Sequence, residues 1–346
     1  MSNKIAVIGS GGWGTALAII ADLAGNNVSL WVRTPHKAEQ LRSTRENKEY
    51  LPGVQIPASI TISDDLTSTI RGAMIVLFVV PAQALREIME RAKPFLDPHQ
   101  IILCASKGIE RSTQLLMSQV MAEVLADPVF DRIGVLTGPN HAEEVGRQVP
   151  SATVISTLNR EAARIAQKAL ISSHFRVYTN DDLIGVQVAG AMKNVIALAA
   201  GISDGLGFGD NTKAALLTRG LAEIARLGVA LGANPMTFSG LAGMGDLIAT
   251  CTSRHSRNAK AGRALGEGKT LQEILDSTNM VVEGVWTTQA AYQLADSLNV
   301  ELPITRQVYA ILFEGKSARE AVIDLMERDA TREEESYILS SYLLRS

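Results

Sequence analysis

Lys193 is the residue whose surroundings are hardest to reconcile with its charge. It lies in Gly190-Ala191-Met192-Lys193-Asn194-Val195-Ile196-Ala197, within an apolar run from Ile184 to Ile202 that predicts a buried helix. A lysine is almost never fully buried without a partner, because removing an ammonium from water is costly unless a carboxylate or ligand answers it. A lysine held in that way is a candidate proton donor. The plain alternative is a snorkelling lysine at the edge of an amphipathic helix. A second group with chemical potential is Gly9-Ser10-Gly11-Gly12-Trp13-Gly14, a G-x-G-x-x-G placed between an apolar strand pattern and a helical one. In that context Gly9 makes the tight turn, Gly11 lets backbone approach a pyrophosphate, and Gly14 packs helix on strand. The helix that follows offers unpaired N–H groups and a positive dipole end to phosphates.

Three further groups complete the chemistry. Gly243-Met244-Gly245-Asp246 puts a carboxylate on a glycine turn at a helix start. Beside Lys193 it would hold the ammonium; on its own it reads as an N-cap, and the two roles are compatible. Ser256-Arg257-Asn258 offers hydroxyl, guanidinium and amide donors at another helix start, which suits a phosphate and equally suits a capped basic turn. Lys107, at a strand end, adds a second positive charge, and Asn194 is an amide next to the candidate acid. Together these point to reduction of a small phosphorylated carbonyl by a nicotinamide dinucleotide. The residue about 20 positions past the glycine turn sorts the cofactor type. Here it is Arg33, followed by Thr34, Pro35, His36 and Lys37, with no acid to hold a ribose 2′-hydroxyl. A guanidinium favours a 2′-phosphate, so NADP(H) is expected to be preferred, with NAD(H) also accepted.

The elements that must position these groups follow from pattern. Strands are expected at Lys4 to Ile8, Val28 to Val32, Ser59 to Ser63, Met74 to Val80, Gln100 to Ala105, Arg132 to Leu136, Ser151 to Ser156 and Phe175 to Tyr178. Helices are expected at Thr15 to Leu23, His36 to Asn47, Asp64 to Arg71 (capped by Asp64-Asp65), Pro81 to Phe95, Ser112 to Leu125 and Arg160 to Leu170. Such alternation gives an α/β fold with an open, mostly parallel, doubly wound sheet of Rossmann type, whose ligands bind at the carboxyl ends of strands. Val79-Val80-Pro81, Lys107 and Gly138 fall at such ends. After Asp181-Asp182 only helical periodicity remains: Leu183 to Leu206, Ala214 to Leu231, Leu271 to Leu275, Val285 to Leu298, Ile304 to Glu314 and Ser317 to Glu327. The expected domains are therefore 1–184, binding the dinucleotide, and 185–346, all-helical and carrying substrate and catalytic groups. Arg332 to Ser346, charged and then Tyr/Leu-rich, is an ordered tail or a subunit contact.

Composition bounds the rest. The 346 residues exceed one ordinary core, 46% are hydrophobic and 20% charged, as in a globular chain. A formal net charge of -3 makes no electrostatic case for nucleic acid or an anionic membrane. A strand almost at the N-terminus argues against a signal peptide, and the densest apolar run, Met74 to Val80, is far short of the roughly 18 residues of a membrane span. Two cysteines in unrelated contexts, Cys104 and Cys251, suit a reducing compartment, so a cytoplasmic protein is expected. The five histidines show no metal-ligand spacing, and no metal is expected.

The longer motifs carry a resemblance. Gly190 to Gly201, followed by Gly209-Asp210-Asn211-Thr212-Lys213-Ala214-Ala215, resembles the signature of NAD(P)-dependent glycerol-3-phosphate dehydrogenases, most of all the bacterial soluble form. Gly9 to Leu17, Tyr50-Leu51-Pro52-Gly53, Lys107-Gly108-Ile109-Glu110, Gly138-Pro139, Gly243 to Asp246, Ser256 to Asn258 and Val282-Glu283-Gly284 extend it over essentially the whole chain. The resemblance implies Lys193 as catalytic acid/base, with Lys107, Asp246 and Thr250 around the reacting carbon. It implies Gly138, Asn140, Ser256, Arg257 and Asn258 on the substrate. Gly12, Trp13, Arg33, Ala142, Val281 and Glu283 would contact the cofactor, with Lys107 and Arg257 near both ligands. Two positions depart from the usual pattern: Gly12, where Ser or Ala is common, and Asn140-His141, where a small hydroxyl residue and Phe are common. The implied reaction is reversible reduction of dihydroxyacetone phosphate to sn-glycerol 3-phosphate, feeding glycerophospholipid synthesis, by a homodimer without stable membrane association. Two other classes stay open on the residues alone: a two-domain hydroxy-acid dehydrogenase, and a non-catalytic dinucleotide binder. The first would leave Arg257 and Asn258 without a role, and the second would not need Lys193, Asp246 and Arg257.

Overall fold

The computed structural model describes residues 3–126, 132–278, 280–330 and 333. The expected tail from Arg332 onward therefore lies outside the described residues, apart from Glu333. The chain divides into two compact units: Met1–Lys107 with Met117–Leu183, and Gly108–Leu116 with Ile184–Ser346.

The first unit is built on β1 (Lys4–Ile8), α1 (Gly12–Leu23), β2 (Asn27–Trp31), α2 (Pro35–Thr44), β3 (Thr61–Ser63), α3 (Leu66–Ile70), β4 (Ile75–Phe78), α4 (Leu85–Ala92), β5 (Ile101–Cys104), α5 (Met117–Leu125), β6 (Ile133–Thr137), α6 (Ala142–Gly146), β7 (Ser151–Thr157), α7 (Arg160–Leu170) and β8 (Phe175–Asn180). The strands form one sheet in the order β3-β2-β1-β4-β5-β6-β7-β8. Neighbours run parallel except β6 and β7, which pair antiparallel, Leu136 opposite Ile155. Strands β4 and β5 are buried along their whole length, so their sequences are unbroken apolar runs rather than alternating ones. From β1 the chain turns to β2 and β3 on one side, then returns to β4 on the other. The carboxyl ends of β1 and β4 thus flank the reversal of strand order, where open α/β sheets bind ligands.

Several boundaries differ from expectation for local reasons. Helix α1 begins at Gly12 rather than Thr15, which puts the last part of the glycine motif inside its first turn. Asp65 alone caps α3, accepting from the N–H groups of Thr67 and Ser68, while Asp64 bonds Arg42 and the Trp31 indole. The helix expected from Ser112 starts only at Met117. Before it, Ile109 and Leu116 pair as an isolated antiparallel bridge, and the Thr113 hydroxyl donates to the buried Glu110 carboxylate at 2.5 Å. This small hairpin competes locally with helix, and its apolar ends, Ile109 and Leu116, are buried in the core of the second unit.

The second unit is helical: α8 (Leu183–Gly205), α9 (Asp210–Ala230), α10 (Asp246–Thr252), α11 (Arg257–Gly266), α12 (Leu271–Asp276), α13 (Glu283–Ser297), α14 (Pro303–Phe313) and α15 (Ala318–Met326). Helix α8 is its axis. It is long and apolar enough to cross a membrane, which the expectation based on Met74 to Val80 overlooked, but 89% of its apolar window is buried inside the protein. It is a core helix, and that burial is what encloses Lys193.

Helices α8 and α11 meet through glycine. A methyl group on Gly201 would stand 2.1 Å from the carbonyl oxygen of Ala259, and one on Gly205 2.2 Å from that of Arg263. In return, one on Gly262 would stand 2.1 Å from the oxygen of Leu198, and one on Gly266 2.3 Å from that of Ile202. Each helix therefore carries two glycines four residues apart, and each glycine receives a carbonyl from the other helix, a spacing open only to residues without Cβ. This contact fixes the start of α11, with Ser256 to Asn258, against the part of α8 that carries Lys193 and Asn194.

Candidate active site

In the first unit the glycine turn joins β1 to α1. Gly9 has φ +120°, and a Cβ there would stand 2.4 Å from the carbonyl oxygen of Val79, just past β4. A Cβ on Gly14 would stand 1.9 Å from the Gly9 carbonyl oxygen, so the third glycine of the motif is required by helix-on-turn packing. Gly11 has open space where a Cβ would go, as the position meant for close approach of a ligand should. Gly11 is also the N-cap of α1 and no side chain caps that end, so the first-turn N–H groups have no side-chain acceptor. This turn fits a dinucleotide pyrophosphate.

Gly12 has its own constraint. A Cβ there would stand 2.5 Å from the Tyr50 carbonyl oxygen and 3.5 Å from the Ala142 Cβ, so Gly12 and Ala142, both expected at the cofactor, are neighbours. Trp13 packs with Ala142 against the core of this unit. Arg33 is exposed just beyond β2. The Tyr50 hydroxyl is held above its usual pKa chiefly by its hydrogen bond to Glu49 and by burial, with the Arg33 charge pulling the other way. The Lys37 ammonium sits 3.8 Å from the centre of the Tyr50 ring and 2.8 Å from Glu49. The region past β2 thus holds an exposed Arg33, an ion-paired Lys37 and the Tyr50 ring.

Lys107, Gly138 and Asn140 come together at the ends of β5 and β6. The Lys107 ammonium donates to the Gly138 carbonyl at 2.8 Å. The Asn140 amide donates to the Ala152 carbonyl at 2.8 Å, and its buried Oδ1 finds no partner among the described residues. Asn140 is thus a tether to β7 whose acceptor side remains available.

In the second unit Lys193 is 6% exposed and Asp246 1%. The Lys193 ammonium donates to Asp246 Oδ1 at 2.5 Å and to the Thr250 hydroxyl at 2.6 Å. The Thr250 hydroxyl in turn donates to the Asp246 backbone carbonyl at 2.6 Å. Asp246 and Thr250 stand four residues apart on α10, one turn, which lets both face the same ammonium. Asp246 is not an N-cap: that position is Gly245, the end of a π-helical turn, Leu241–Gly245. That turn requires Gly243, where a Cβ would stand 2.1 Å from the Phe238 carbonyl oxygen. The wide turn spends its glycines on placing a carboxylate inside the unit rather than on capping.

Next to Lys193, Asn194 accepts from the Asn258 amide at 2.9 Å, and Asn258 Oδ1 accepts from the Gly284 N–H at 2.9 Å. This chain ties α8, α11 and α13 together, a link that sequence reasoning missed although all three residues sit in quoted motifs. Ser256 caps α11, its hydroxyl accepting from the Ala259 N–H at 3.2 Å. The hydroxyl proton is left to donate, so capping and anion binding coexist. Arg257 is exposed and its guanidinium reaches the Val281 carbonyl at 3.2 Å, which joins two residues expected at the cofactor. Glu283 opens α13 directly after them. Cys251 lies on α10 within electrostatic reach of Lys193, and burial pushes its thiol up to about 12. It is therefore no nucleophile at neutral pH. Among the described residues no group of His, Cys, Asp and Glu is arranged to hold a metal.

Comparison with known proteins identifies the family. Residues 4–163 match the family model described as NAD-dependent glycerol-3-phosphate dehydrogenase N-terminus, and residues 182–323 match its C-terminus counterpart. The chain is 53% identical over 335 residues to the glycerol-3-phosphate dehydrogenase (NAD(P)+) of Geobacillus thermodenitrificans, covering 96% of each protein. It is 49% identical over 344 residues to that of Pelotomaculum thermopropionicum, covering 99% of each. The crystal structure of glycerol-3-phosphate dehydrogenase from Coxiella burnetii superposes with a TM-score of 0.89 at 37% identity, over 94% of this chain and 99% of that one. Both family models together span nearly the whole chain and the relatives match it along almost their full length, so the chain belongs to the NAD-dependent glycerol-3-phosphate dehydrogenase family.

Proposed function

We propose that the protein reduces dihydroxyacetone phosphate to sn-glycerol 3-phosphate, reversibly, with Lys193 as the proton donor. The observation that carries this reading is the enclosed ammonium of Lys193, held at 2.5 Å by Asp246 and at 2.6 Å by Thr250. When bound at the Gly9 to Gly14 turn, the nicotinamide dinucleotide supplies the hydride for C2 of the substrate. Lys193 delivers a proton to the carbonyl oxygen as that carbon is reduced, and Asp246 keeps the ammonium charged and oriented before transfer. Thr250 fixes a second direction of the ammonium, so that its orientation toward the reacting oxygen is set by α10. Ser256, Arg257 and Asn258 hold the substrate phosphate, Lys107, Gly138 and Asn140 its other polar groups, and Asn194 orients the acid's neighbourhood through Asn258.

NADP(H) is the preferred cofactor in this reading and NAD(H) the slower alternative, because the position after β2 that sorts the cofactor type is Arg33, followed by Thr34, Pro35, His36 and Lys37, rather than an acid. The working form is a cytoplasmic homodimer, and its product feeds glycerophospholipid synthesis. Family membership favours this enzyme over both a hydroxy-acid dehydrogenase and a non-catalytic dinucleotide binder.

The test is a substrate panel followed by nicotinamide absorbance, with NADPH and NADH side by side. Consumption on adding dihydroxyacetone phosphate, faster with NADPH, is the expected result. Cofactor binding without consumption on any phosphorylated ketone would overturn the assignment of Lys193.

A further inference from the structure

Asn47 is a buried polar residue that the reaction, as described so far, does not use. Its amide nitrogen donates to the Ser10 carbonyl at 2.8 Å and to the Thr15 hydroxyl at 2.9 Å. Since a carbonyl only accepts, the orientation of the amide is fixed by chemistry. One acceptor lies in the glycine turn and the other in the first turns of α1. The same loop makes a third contact between them, the Tyr50 carbonyl pressed on Gly12. The loop itself is closed: Glu46 and Gln55 pair as a bridge, the Asn47 carbonyl accepts from the N–H groups of Tyr50 and Leu51, and the Leu51 side chain is buried in the core. The Asn47 Oδ1 is buried without a partner among the described residues. An unsatisfied buried amide oxygen costs stability, so a core optimised for stability alone would not place one there.

We propose that Asn47 is a positioning residue for the nicotinamide dinucleotide: it fixes Ser10 and the start of α1 so that the turn presents its N–H groups to the pyrophosphate in one geometry. This rests on the reading that the Gly9 to Gly14 turn holds the dinucleotide. Asn47 acts through the turn and touches no reacting atom. Its loss should therefore weaken cofactor binding and leave the chemical step intact.

The experiment titrates NADPH and NADH fluorescence against the full-length wild type and Asn47→Ala, Asn47→Asp, Thr15→Val, Thr15→Ser and Gly14→Ala. Steady-state kinetics with dihydroxyacetone phosphate accompany the titrations. Asn47→Ala should weaken cofactor Kd about tenfold, as loss of two buried hydrogen bonds predicts. Its kcat at saturating cofactor should stay within about twofold, and KM for the ketone should not change. Asn47→Asp should bind worse still, because a carboxylate would face the Ser10 carbonyl. Thr15→Val should show a smaller loss that Thr15→Ser, which keeps the accepting oxygen, restores. Wild-type Kd in both Asn47 variants, or a lower kcat with Kd unchanged, overturns the proposal. If Gly14→Ala abolishes binding while the Asn47 variants bind normally, only the role of Asn47 falls. If the wild type binds neither dinucleotide, the reading beneath it falls.

Discussion

Gly262 and the Leu198 carbonyl oxygen are so close that a methyl group on the glycine would stand 2.1 Å from that oxygen. The contact sits between the helix that carries Lys193 and Asn194 and the helix that begins with Arg257 and Asn258. Gly262→Ala is expected to force these helices apart, at a cost of about 1–3 kcal/mol or more from overpacking. It should also raise KM for the phosphorylated substrate more than it lowers kcat. Denaturant unfolding and steady-state kinetics check both. A variant as stable as wild type, with wild-type KM, would show that the close approach is not needed.

Lys193→Ala should lower kcat by roughly two to four orders of magnitude, the range of a lost general acid, with far-UV circular dichroism unchanged. Asp246→Asn leaves a buried ammonium facing a neutral amide. It should cost both activity and about 3–5 kcal/mol of stability, because one partner of a buried pair has been removed. If Asp246→Asn were more active than Lys193→Ala but equally stable to wild type, Asp246 would be reduced to a bystander.

Glu223 predicts a pH dependence. It is fully buried, accepts from the Thr305 N–H and hydroxyl and from the Ile304 N–H, and so holds the start of α14 from α9. Burial pushes its carboxyl up to about 7, against those hydrogen bonds and the Arg226 charge, which act in the opposite direction. A carboxyl raised in the folded state keeps a proton that the unfolded chain gives up near pH 4.5. Stability should therefore fall as pH rises from about 4.5 to about 7 and then level off, by up to roughly 3 kcal/mol from this group. Thermal midpoints measured across that window should slope downward in wild type and lose that part of the slope in Glu223→Gln.

Both cysteines are buried, Cys104 on β5 and Cys251 on α10, and the Cys251 thiol is pushed up to about 12. Iodoacetamide at neutral pH should leave both unmodified in the native protein and alkylate both after unfolding, as intact mass will show. Rapid labelling of Cys251 in the folded state would mean that the Lys193 surroundings open to solvent.

Much of this was legible in the residues because single positions carried single physical demands. The turn at Gly9 to Gly14 and the unbroken apolar strands could be read directly, since only glycine tolerates the contacts at Gly9, Gly12 and Gly14 and only doubly covered strands lose alternation. Lys193 stood out because a charge among aliphatic neighbours needs an answer, and Asp246 supplied it. What could not be read depends on chain segments distant in sequence. The antiparallel pairing of β6 with β7 leaves no local signature, and Ser112 to Leu116 reads as the first turn of the helix that follows because nothing local announces that Leu116 will pair with Ile109. Asn47 lies in a stretch of ordinary polar character, and nothing nearby announces that its amide will meet Ser10. The spacing of Gly201 with Gly205 and of Gly262 with Gly266 was visible, but glycines in a helical pattern lower confidence in the helix until their partner helix is known.

The short hairpin from Gly108 to Leu116 has a consequence for how this chain can be taken apart. The polypeptide leaves the sheet unit at Gly108, lodges Ile109 and Leu116 in the helical unit, and goes back before crossing finally near Ile184. No single crossover point separates the two units, so recombination at residue 184 between distant relatives would import a helical unit while retaining a foreign plug for its interior. Shuffled or truncated chains will hold together only when the hairpin travels with the helices it fills.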